Sequence, residues 1–310
     1  MNCHHWVRPI IITLTGLAFL CGCRYDGALT TEPTAPRFTE TPTQREMAPQ
    51  HTATTAMTPT PTMLPSPTVA TEGKEVIITV VYDNNAYDPR LQTSWGFGCV
   101  IERDGTAVLF DTGGDGAILL SNMAALGFDP RVVDIVVLSH IHGDHTGGLG
   151  DLLDMGVRPT VYVPKSFPAS LKTQVEAMTT LQEVAGPQEI LPGIYTTGQM
   201  GTNPVEQALV IETSQGLVVI TGCAHPGIVE MVRRAGQIGE SGVYLVLGGF
   251  HLGGVSSHRV ADIIAAFREM GVQKVAPCHC TGDQAVSMFA AEYGEDFIQN
   301  GVGRVLEIKP

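Results

Sequence analysis

The chain has 310 residues, of which 44% are hydrophobic and 16% charged, and its formal charge at pH 7 is −13. This composition is typical of a protein with a well-buried globular part. The negative charge argues against nucleic-acid binding, which requires a basic face. Three of the seven cysteines, Cys3, Cys21 and Cys23, fall within the first 23 residues, and the other four are too few to build a disulfide scaffold.

Residues 1–23 are predicted to be an export signal. Arg8 supplies the positive end, and the apolar core at residues 10–20 is shorter than the roughly 20 apolar residues of a comfortable membrane span. The end of this core, residues 20–23 (Leu-Cys-Gly-Cys), resembles the bacterial lipobox. The resemblance implies that Cys23 is lipidated, which would anchor an extracytoplasmic lipoprotein to a bacterial membrane. An ordinary signal peptide cut nearby and an uncleaved anchor are the alternatives.

Residues 24–72 are rich in threonine and proline and show no hydrophobic period. So little apolar surface cannot offset the entropy of ordering the segment, and repeated proline keeps such a linker extended. We therefore predict a disordered, semi-rigid spacer over residues 24–72 and a folded domain over residues 73–310.

Strands and helices alternate along residues 73–310. Apolar and β-branched runs predict strands at residues 75–82, 96–101, 107–110, 132–138, 160–163, 209–212, 216–220, 243–247 and 274–276. Helical patterns and caps predict helices at residues 117–126, 147–155, 170–183, 228–235 and 256–270. The pattern is least decisive over residues 157–203. Buried strands that alternate with helices need helices on the outer sheet faces, so the fold class is α/β.

Histidines collect at the ends of predicted strands. Residues 139–145 place three imidazoles and one carboxylate directly after a buried strand. Three later strand-to-loop junctions each carry a histidine, namely His225, His251 and His279. Donors gathered at strand ends indicate a metal site on the rim of a sheet rather than a histidine-rich surface loop.

These stretches resemble the metallo-β-lactamase superfamily. Residues 140–145 (His-Ile-His-Gly-Asp-His) match its His-x-His-x-Asp-His signature, and Asp111 matches the aspartate one αβ unit earlier. Four further stretches resemble the branch related to dihydropterin–ribofuranosylaminobenzene-phosphate synthase, at residues 83–85, 221–227, 248–252 and 277–282. The resemblance implies a four-layer αββα sandwich with the metal site in the loops along one edge of the two sheets.

The resemblance also implies a first metal site. His140 and His142 are two residues apart in an extended loop, so they point to the same side and can share one ion. His225 would complete this site and leave a fourth position for water. Three histidines with mixed nitrogen and oxygen ligands fit zinc, with manganese and iron as alternatives.

A second ion would be held by Asp144 and His145, with His279 as the distant third ligand. Asp111 is expected to orient a histidine through its other ring nitrogen rather than to bind metal. Whether the protein holds one ion or two stays open at this point.

The sequence departs from the superfamily pattern in one respect. Two-metal hydrolases of the superfamily usually carry a bridging aspartate on a strand end between the last two histidine motifs, and none is found here. His251 could replace it as a second-site ligand or proton shuttle, or could be a satisfied core histidine. Cys223 could replace it as a soft ligand, or could be a small buried residue. Asp144 and His251 are the candidate catalytic residues.

Three other residues are predicted to lie outside the site. Cys278 and Cys280 alternate with His279, so both face away from it if the segment is extended. His258 is at a predicted helix start and is expected to face solvent.

These features predict a metal-dependent hydrolase, in which metal-bound hydroxide attacks an ester, lactone, amide or phosphoester bond of a small molecule. The synthase reaction of the resembling branch, which joins a dihydropterin to an aminobenzene ribofuranosyl phosphate, is an alternative. The export signal counts against it because pterin intermediates are expected in the cytoplasm. A non-catalytic metal- or ligand-binding lipoprotein is the third hypothesis.

Overall fold

The computed structural model describes residues 75–239 and 241–309. The predicted export signal, the predicted spacer and Cys23 lie outside the described residues. Within those residues, every helix is too short or too polar to cross a bilayer.

The secondary structure alternates as expected. In the described part of the chain the strands are β1 (Val76–Asp83), β2 (Phe97–Arg103), β3 (Thr106–Phe110), β4 (Val133–Val137), β5 (Thr160–Pro164), β6 (Thr180–Val184), β7 (Gln188–Leu191), β8 (Ile194–Thr196), β9 (Leu209–Thr213), β10 (Gly216–Thr221), β11 (Val243–Gly249), β12 (Lys274–Cys278) and β13 (Val305–Ile308). The α-helices are α1 (Gly116–Ala125), α2 (Gly143–Thr146), α3 (Leu149–Asp154), α4 (Ala169–Glu176), α5 (Ile228–Ala235), α6 (Ser257–Glu269) and α7 (Asp283–Tyr293).

Two sheets form the centre of the domain. The first has the strand order β13-β1-β2-β3-β4-β5-β6, and the second has the order β12-β11-β10-β9-β8-β7. Strands β3 to β6 run parallel in the first sheet, as do β10 to β12 in the second. The remaining pairings are antiparallel.

The apolar side chains divide into three layers. Between the sheets, residues such as Phe110 of β3 and Ile220 of β10 pack into one buried cluster. On the outer face of the first sheet, Leu119 of α1 joins a second cluster with α3 and α4. On the outer face of the other sheet, Val232 of α5 and Phe289 of α7 join a third with α6. Burial of both faces of each sheet therefore produces the predicted four-layer αββα sandwich.

Two predicted helices differ from the structure. The helix expected at residues 170–183 ends at Glu176, and residues 180–184 instead form the edge strand β6. The strand carries mostly exposed side chains, so it lacks the apolar period by which strands are predicted. The helix expected at residues 147–155 begins two residues later, at Leu149, and Gly147 lies against the loop after β3, where a Cβ would be 2.4 Å from the Gly114 oxygen.

Several parallel strands end at one edge of the sandwich. The carboxyl ends of neighbouring parallel strands meet at the same edge of a sheet. The loops after β3, β4, β10, β11 and β12 therefore gather there, and the residues they carry are Asp111, residues 139–145, Cys223, His225, His251 and His279.

Candidate metal centre

One group of donors consists of three histidines. The donor atoms of His140, His142 and His225 lie within 4.8 Å of one another. Nε2 of His140 is 3.1 Å from Nδ1 of His142, and the ring of His225 is 4.8 Å from each of the other two rings. His140 is buried and His142 is exposed, so this group opens to solvent on one side. The structure thus brings together the three residues assigned to the first metal.

A second group lies beside it. The donor atoms of Asp144, His145, Cys223 and His279 also lie within 4.8 Å of one another. Oδ2 of Asp144 is 3.5 Å from Nε2 of His145 and 3.4 Å from Nε2 of His279. Sγ of Cys223 is 3.2 Å from Nε2 of His145. The second group therefore contains the three residues assigned to the second metal and adds a sulfur donor.

Cys223, rather than His251, adjoins the second group. His251 instead lies near His225, with 4.2 Å between the ring centroids, and its donor atom groups with those of Cys223 and His225. Cys223 belongs both to this set and to the second group, whereas His251 belongs to this set but not to the second group. Of the two candidates for the missing bridging aspartate, Cys223 therefore has the more central position. His251 is exposed rather than a satisfied core residue.

Asp111 orients histidines of both groups. Its Oδ2 atom lies 2.7 Å from Nδ1 of His145 and accepts a 2.7 Å hydrogen bond from the Ser139 hydroxyl. Its Oδ1 atom accepts the Ser139 backbone N–H at 2.7 Å. The Ser139 oxygen is in turn 2.9 Å from Nδ1 of His140. When Nδ1 donates in each ring, Nε2 is the atom left for a metal.

The ring of His279 is oriented by Asn84. Oδ1 of Asn84 lies 2.8 Å from Nδ1 of His279, and its amide nitrogen donates to the His279 carbonyl oxygen at 3.3 Å. Asn84 lies in one of the stretches that carry the family resemblance, but its contact with His279 spans 195 residues and could not be predicted from local pattern.

Glu206 holds the loop after β10 and was not predicted. Its buried carboxylate accepts the backbone N–H groups of Cys223, Ala224 and His225 at 2.9, 2.8 and 2.8 Å. Burial raises the pKa of Glu206 to about 7, although the three N–H groups act in the opposite direction. The only local signal for Glu206 is an acidic residue two positions before a buried apolar run.

Left-handed backbone recurs at the strand ends that carry the site. Asp111, Ala224, His251 and His279 have φ values of 57°, 61°, 53° and 49°. Residues other than glycine seldom adopt these values, and they persist where surrounding contacts enforce them. For Asp111, Ala224 and His279 these contacts are the hydrogen bonds made by Asp111, Glu206 and Asn84, and for His251 the contact is with the Cys280 thiol.

The prediction that Cys280 faces away from the site is wrong. The chain turns into a 3-10 helix at His279–Thr281 instead of remaining extended, and this directs Cys280 inward. Its sulfur lies 3.7 Å from the Cys223 carbonyl oxygen, and its hydrogen bond with His251 raises the pKa of that imidazole. Cys278 is buried, and His258 is exposed as predicted.

Burial and neighbouring charge set the protonation of the histidines. Burial, together with adjacent imidazoles, lowers the pKa of His140 and lowers that of His225 to about 4. Both rings are therefore neutral near pH 7, which is the form that binds metal. Burial also acts to lower the pKa of His145, but the carboxylates of Asp111 and Asp144 outweigh it and raise that pKa to about 10. A divalent cation bound at Nε2 of His145 would take the place of that proton.

The donor set fits a divalent metal. The Nε2 atoms of His225 and His279 are buried and make no well-formed hydrogen bond among the described residues, although Nε2 of His279 lies 3.4 Å from Oδ2 of Asp144. Orphaned buried donors of this kind are costly unless a ligand satisfies them. Both point into groups that also contain a carboxylate, a sulfur or further imidazoles, which are the ligand types of transition metals.

A four-layer αββα sandwich with two adjoining donor groups at the sheet edge defines a metallo-β-lactamase-type protein. The family model described as the metallo-beta-lactamase superfamily matches residues 99–237. The chain is also 30% identical over 281 residues to the 7,8-dihydropterin-6-methyl-4-(beta-D-ribofuranosyl)-aminobenzene-5'-phosphate synthase of Methanocaldococcus jannaschii. That alignment covers 74% of this chain and 96% of the relative. The chain belongs to the metallo-β-lactamase superfamily.

Solved structures agree with this placement. Tm1679, described as a metal-dependent hydrolase of the beta-lactamase superfamily, is similar with a TM-score of 0.66 and 29% identity. The match covers 76% of this chain and all of that one. A diphosphatase of the PhnP family has a TM-score of 0.51 at 14% identity, over 76% of this chain and 97% of its own, and shares the fold alone.

Proposed function

We propose that the chain is a metal-dependent hydrolase acting on an ester, lactone, amide or phosphoester bond of a small molecule. The observation that carries the proposal is the pair of adjoining donor groups, one of three histidines and one of Asp144, His145, Cys223 and His279. The similarity to Tm1679 supports the hydrolase class.

In this proposal, His140, His142 and His225 hold one zinc ion. The second group, through Asp144, His145, Cys223 and His279, holds another. Such ions lower the pKa of bound water and polarise the bond under attack. Because Asp111 and Asn84 fix the ring orientations of His145 and His279 in advance, less binding energy is lost in arranging these two ligands.

His251 is proposed to move a proton between the reacting group and solvent. It is exposed, and its ring lies 4.2 Å from that of His225. A cavity of about 350 Å³ that includes both His225 and His251 in its wall leads from this side of the centre to solvent.

A synthase-type reaction is the second candidate. The Methanocaldococcus jannaschii relative that carries the synthase name aligns over 96% of its length, which favours related chemistry in this chain. The proposed reaction joins a dihydropterin to an aminobenzene ribofuranosyl phosphate.

The two candidates can be tested on the purified full-length chain. Nitrophenyl esters, phosphodiesters and lactones are assayed before chelation, after chelation and after a defined metal is added back. A hydrolase loses turnover on chelation and regains it with metal. In a parallel assay, the two synthase substrates yield a joined product only under the second candidate.

Site variants then connect turnover to the donor groups. The variant His140→Ala/His142→Ala should lose metal and activity, whereas the matched surface variant His258→Ala should keep both. Circular dichroism confirms that each variant is folded. Metal retained in full by the double variant would refute the site, and turnover that is indifferent to chelation would refute the metal-dependent reaction.

The lipid anchor is a separate proposal. Cys23 in its lipobox-like context would carry the lipid that holds the domain outside the cytoplasm. Labelling cells with a radioactive fatty acid should mark the full-length protein and should fail to mark Cys23→Ser. Equal labelling of the two proteins would exclude this anchor.

A further inference from the structure

We propose that the cavity of about 350 Å³ beside His225 and His251 binds an unbranched aliphatic chain, which is the acyl part of the substrate. The substrate is accordingly an acyl ester, amide or lactone of medium chain length rather than a phosphoester. The catalytic meaning of this inference rests on the proposed function. Chain binding itself can be measured on metal-free protein and without turnover.

The cavity opens at the metal centre. His225 and His251 both line it, and Nε2 of His225 is a buried atom that makes no hydrogen bond among the described residues. A group in the cavity therefore lies next to a donor of the first metal group. In hydrolysis, the acyl carbon gains a hydroxyl from water, its bond to the leaving oxygen or nitrogen breaks, and that atom takes the remaining proton. A chain attached to the acyl carbon has to lie beside the metal centre, and this cavity provides the space.

The cavity runs along α6, away from the metal centre. The helix residues that line it are Arg259, Asp262, Ile263 and Ala266. Residues at this helical spacing form one stripe, and at 1.5 Å per residue the stripe is about 10 Å long. Helix α6 follows β11, whose carboxyl end is at the site, and returns the chain to the start of the parallel strand β12. Ala266 is therefore at the end remote from the metals, and a cavity of this length suits a chain rather than a compact ring.

The floor of the cavity is apolar, and its charged residues are confined to the rim. The floor consists of buried side chains of the outer core cluster, namely Ile228, Phe250, Leu252 and Ile263. The charged residues in the wall are Glu230, Arg259 and Asp262, and all three are exposed. A charged group on the floor would lose its water without gaining a charged partner there. The occupant is therefore apolar, and burial of each of its methylenes favours binding.

Nitrophenyl esters of straight-chain acids measure the chain specificity. For the metal-loaded full-length protein, kcat/KM should rise about threefold for each methylene added between acetate and octanoate, because each one leaves water on binding. Nitrophenyl benzoate should be a poorer substrate than the octanoate ester. A kcat/KM that is independent of chain length would overturn the proposal.

Ala266→Leu should shorten the cavity, and Ala265→Leu is the matched control. Ala266 lines the cavity, whereas Ala265 is exposed on the same helix and does not line it. Both variants introduce the same good helix former. Ala266→Leu should lower the ratio of kcat/KM for octanoate to that for acetate about tenfold, since the last methylenes lose their burial. Ala265→Leu should keep the native ratio, and equal ratios in the two variants would overturn the proposal.

Calorimetry gives a second readout that depends on neither metal nor turnover. Octanol is titrated into the chelated full-length chain carrying Cys23→Ser, so that neither a lipid nor a detergent competes for the cavity. Octanol should bind saturably and more tightly than benzyl alcohol, which carries the same hydroxyl on a ring. Ala266→Leu should weaken octanol binding about tenfold, and Ala265→Leu should not. Equal affinities in these two variants, or no saturable binding, would overturn the proposal.

The two readouts separate this inference from the proposed function. Octanol binding that is weakened by Ala266→Leu, in a protein that hydrolyses none of the esters, would support the cavity and count against the hydrolase. Metal-dependent ester hydrolysis that is indifferent to chain length, without octanol binding, would support the hydrolase and refute the cavity.

Discussion

Nδ1 of His145 lies 2.7 Å from Oδ2 of Asp111, and the same oxygen accepts the hydroxyl hydrogen of Ser139, whose oxygen contacts His140. One buried carboxylate thus orients a histidine in each donor group. The two donor groups therefore lie next to each other and are also oriented by the same carboxylate, that of Asp111.

Asp111→Asn should weaken metal binding in both groups. The substituted amide has one acceptor atom, so it cannot accept from His145 and the Ser139 hydroxyl and also from the Ser139 backbone N–H, and the imidazoles lose their fixed orientation. Loss of such a partner typically lowers metal affinity about 10- to 100-fold. Competition with a chromophoric chelator measures this affinity. Asp134→Asn is the control. The Asp134 carboxylate accepts the Ala107 backbone N–H at the end of β3 opposite to Asp111. Equal affinities in the two variants would exclude the role of Asp111.

Glu206→Gln should destabilise the loop after β10. A glutamine amide would place a donor against one or more of the three N–H groups that Glu206 now accepts. A buried unsatisfied N–H costs about 1–3 kcal/mol, so the free energy of unfolding should fall by that amount. Chemical denaturation measures it. Glu230→Gln, on the surface of α5, should change the free energy by less than about 0.5 kcal/mol. A comparable, small change in both variants would contradict the structural role.

Gly222→Ala should disrupt the contact between two site loops. A Cβ there would lie 2.1 Å from Oγ of Ser139 and 2.9 Å from Oδ2 of Asp111. Overpacking of this kind costs about 1–3 kcal/mol, and it should also displace Asp111 from His145. Gly150→Ala is the control, since open space surrounds that position in α3. It should be neutral or stabilising by up to about 1 kcal/mol. Thermal unfolding and metal content of the two variants, measured together, check the prediction.

Cys223→Ser should remove a sulfur ligand from the second donor group. The cobalt-loaded native protein should show an intense sulfur-to-metal charge-transfer absorption band in the near ultraviolet. The band should be absent from cobalt-loaded Cys223→Ser and present in Cys99→Ser, whose thiol is buried between the sheets. A band of equal strength in Cys223→Ser would assign Cys223 to packing alone.

Metal removal should lower thermal stability. A ligand that binds only the folded state at 100 times its dissociation constant contributes about 2.7 kcal/mol. Chelation should therefore lower the Tm of the native protein and of His258→Ala by several degrees. The variant His140→Ala/His142→Ala should respond much less. A Tm that is the same with and without chelator in the native protein would mean that the donor groups hold no metal in solution.

Much of this arrangement could be predicted from the sequence. His140 and His142 follow a strand with a clear apolar run, and the histidines after β10, β11 and β12 sit at equally clear strand ends. Strand period and junction position placed each donor at a strand end, and the resemblance to the metallo-β-lactamase superfamily implied that these ends share one edge. The helix α5 was predicted with its observed bounds, because its apolar face and flanking glycines are unambiguous.

The remainder depends on contacts between distant segments. Glu206 contacts residues that are 17 to 19 positions away, and Asn84 contacts a residue 195 positions away. Nothing in the immediate neighbours of Glu206 or Asn84 indicates these partners. Edge strand β6 lacked an apolar period, and α7 and β13 were not predicted. Cys280 was misplaced because an extended segment was assumed where the chain turns.

The left-handed residues at the strand ends bear on how transferable such a site is. Each of the four turns the chain sharply just where a strand gives way to a loop. The bends at Asp111, Ala224 and His279 are secured by hydrogen bonds with Ser139, Glu206 and Asn84. A non-glycine residue in this conformation costs about 1 kcal/mol or more. Grafting only the histidines, aspartates and cysteine onto another αββα scaffold would not reproduce the left-handed backbone conformations that direct these side chains. Transfer of the site would require the left-handed residues together with the carboxylate and amide side chains that hydrogen-bond to them.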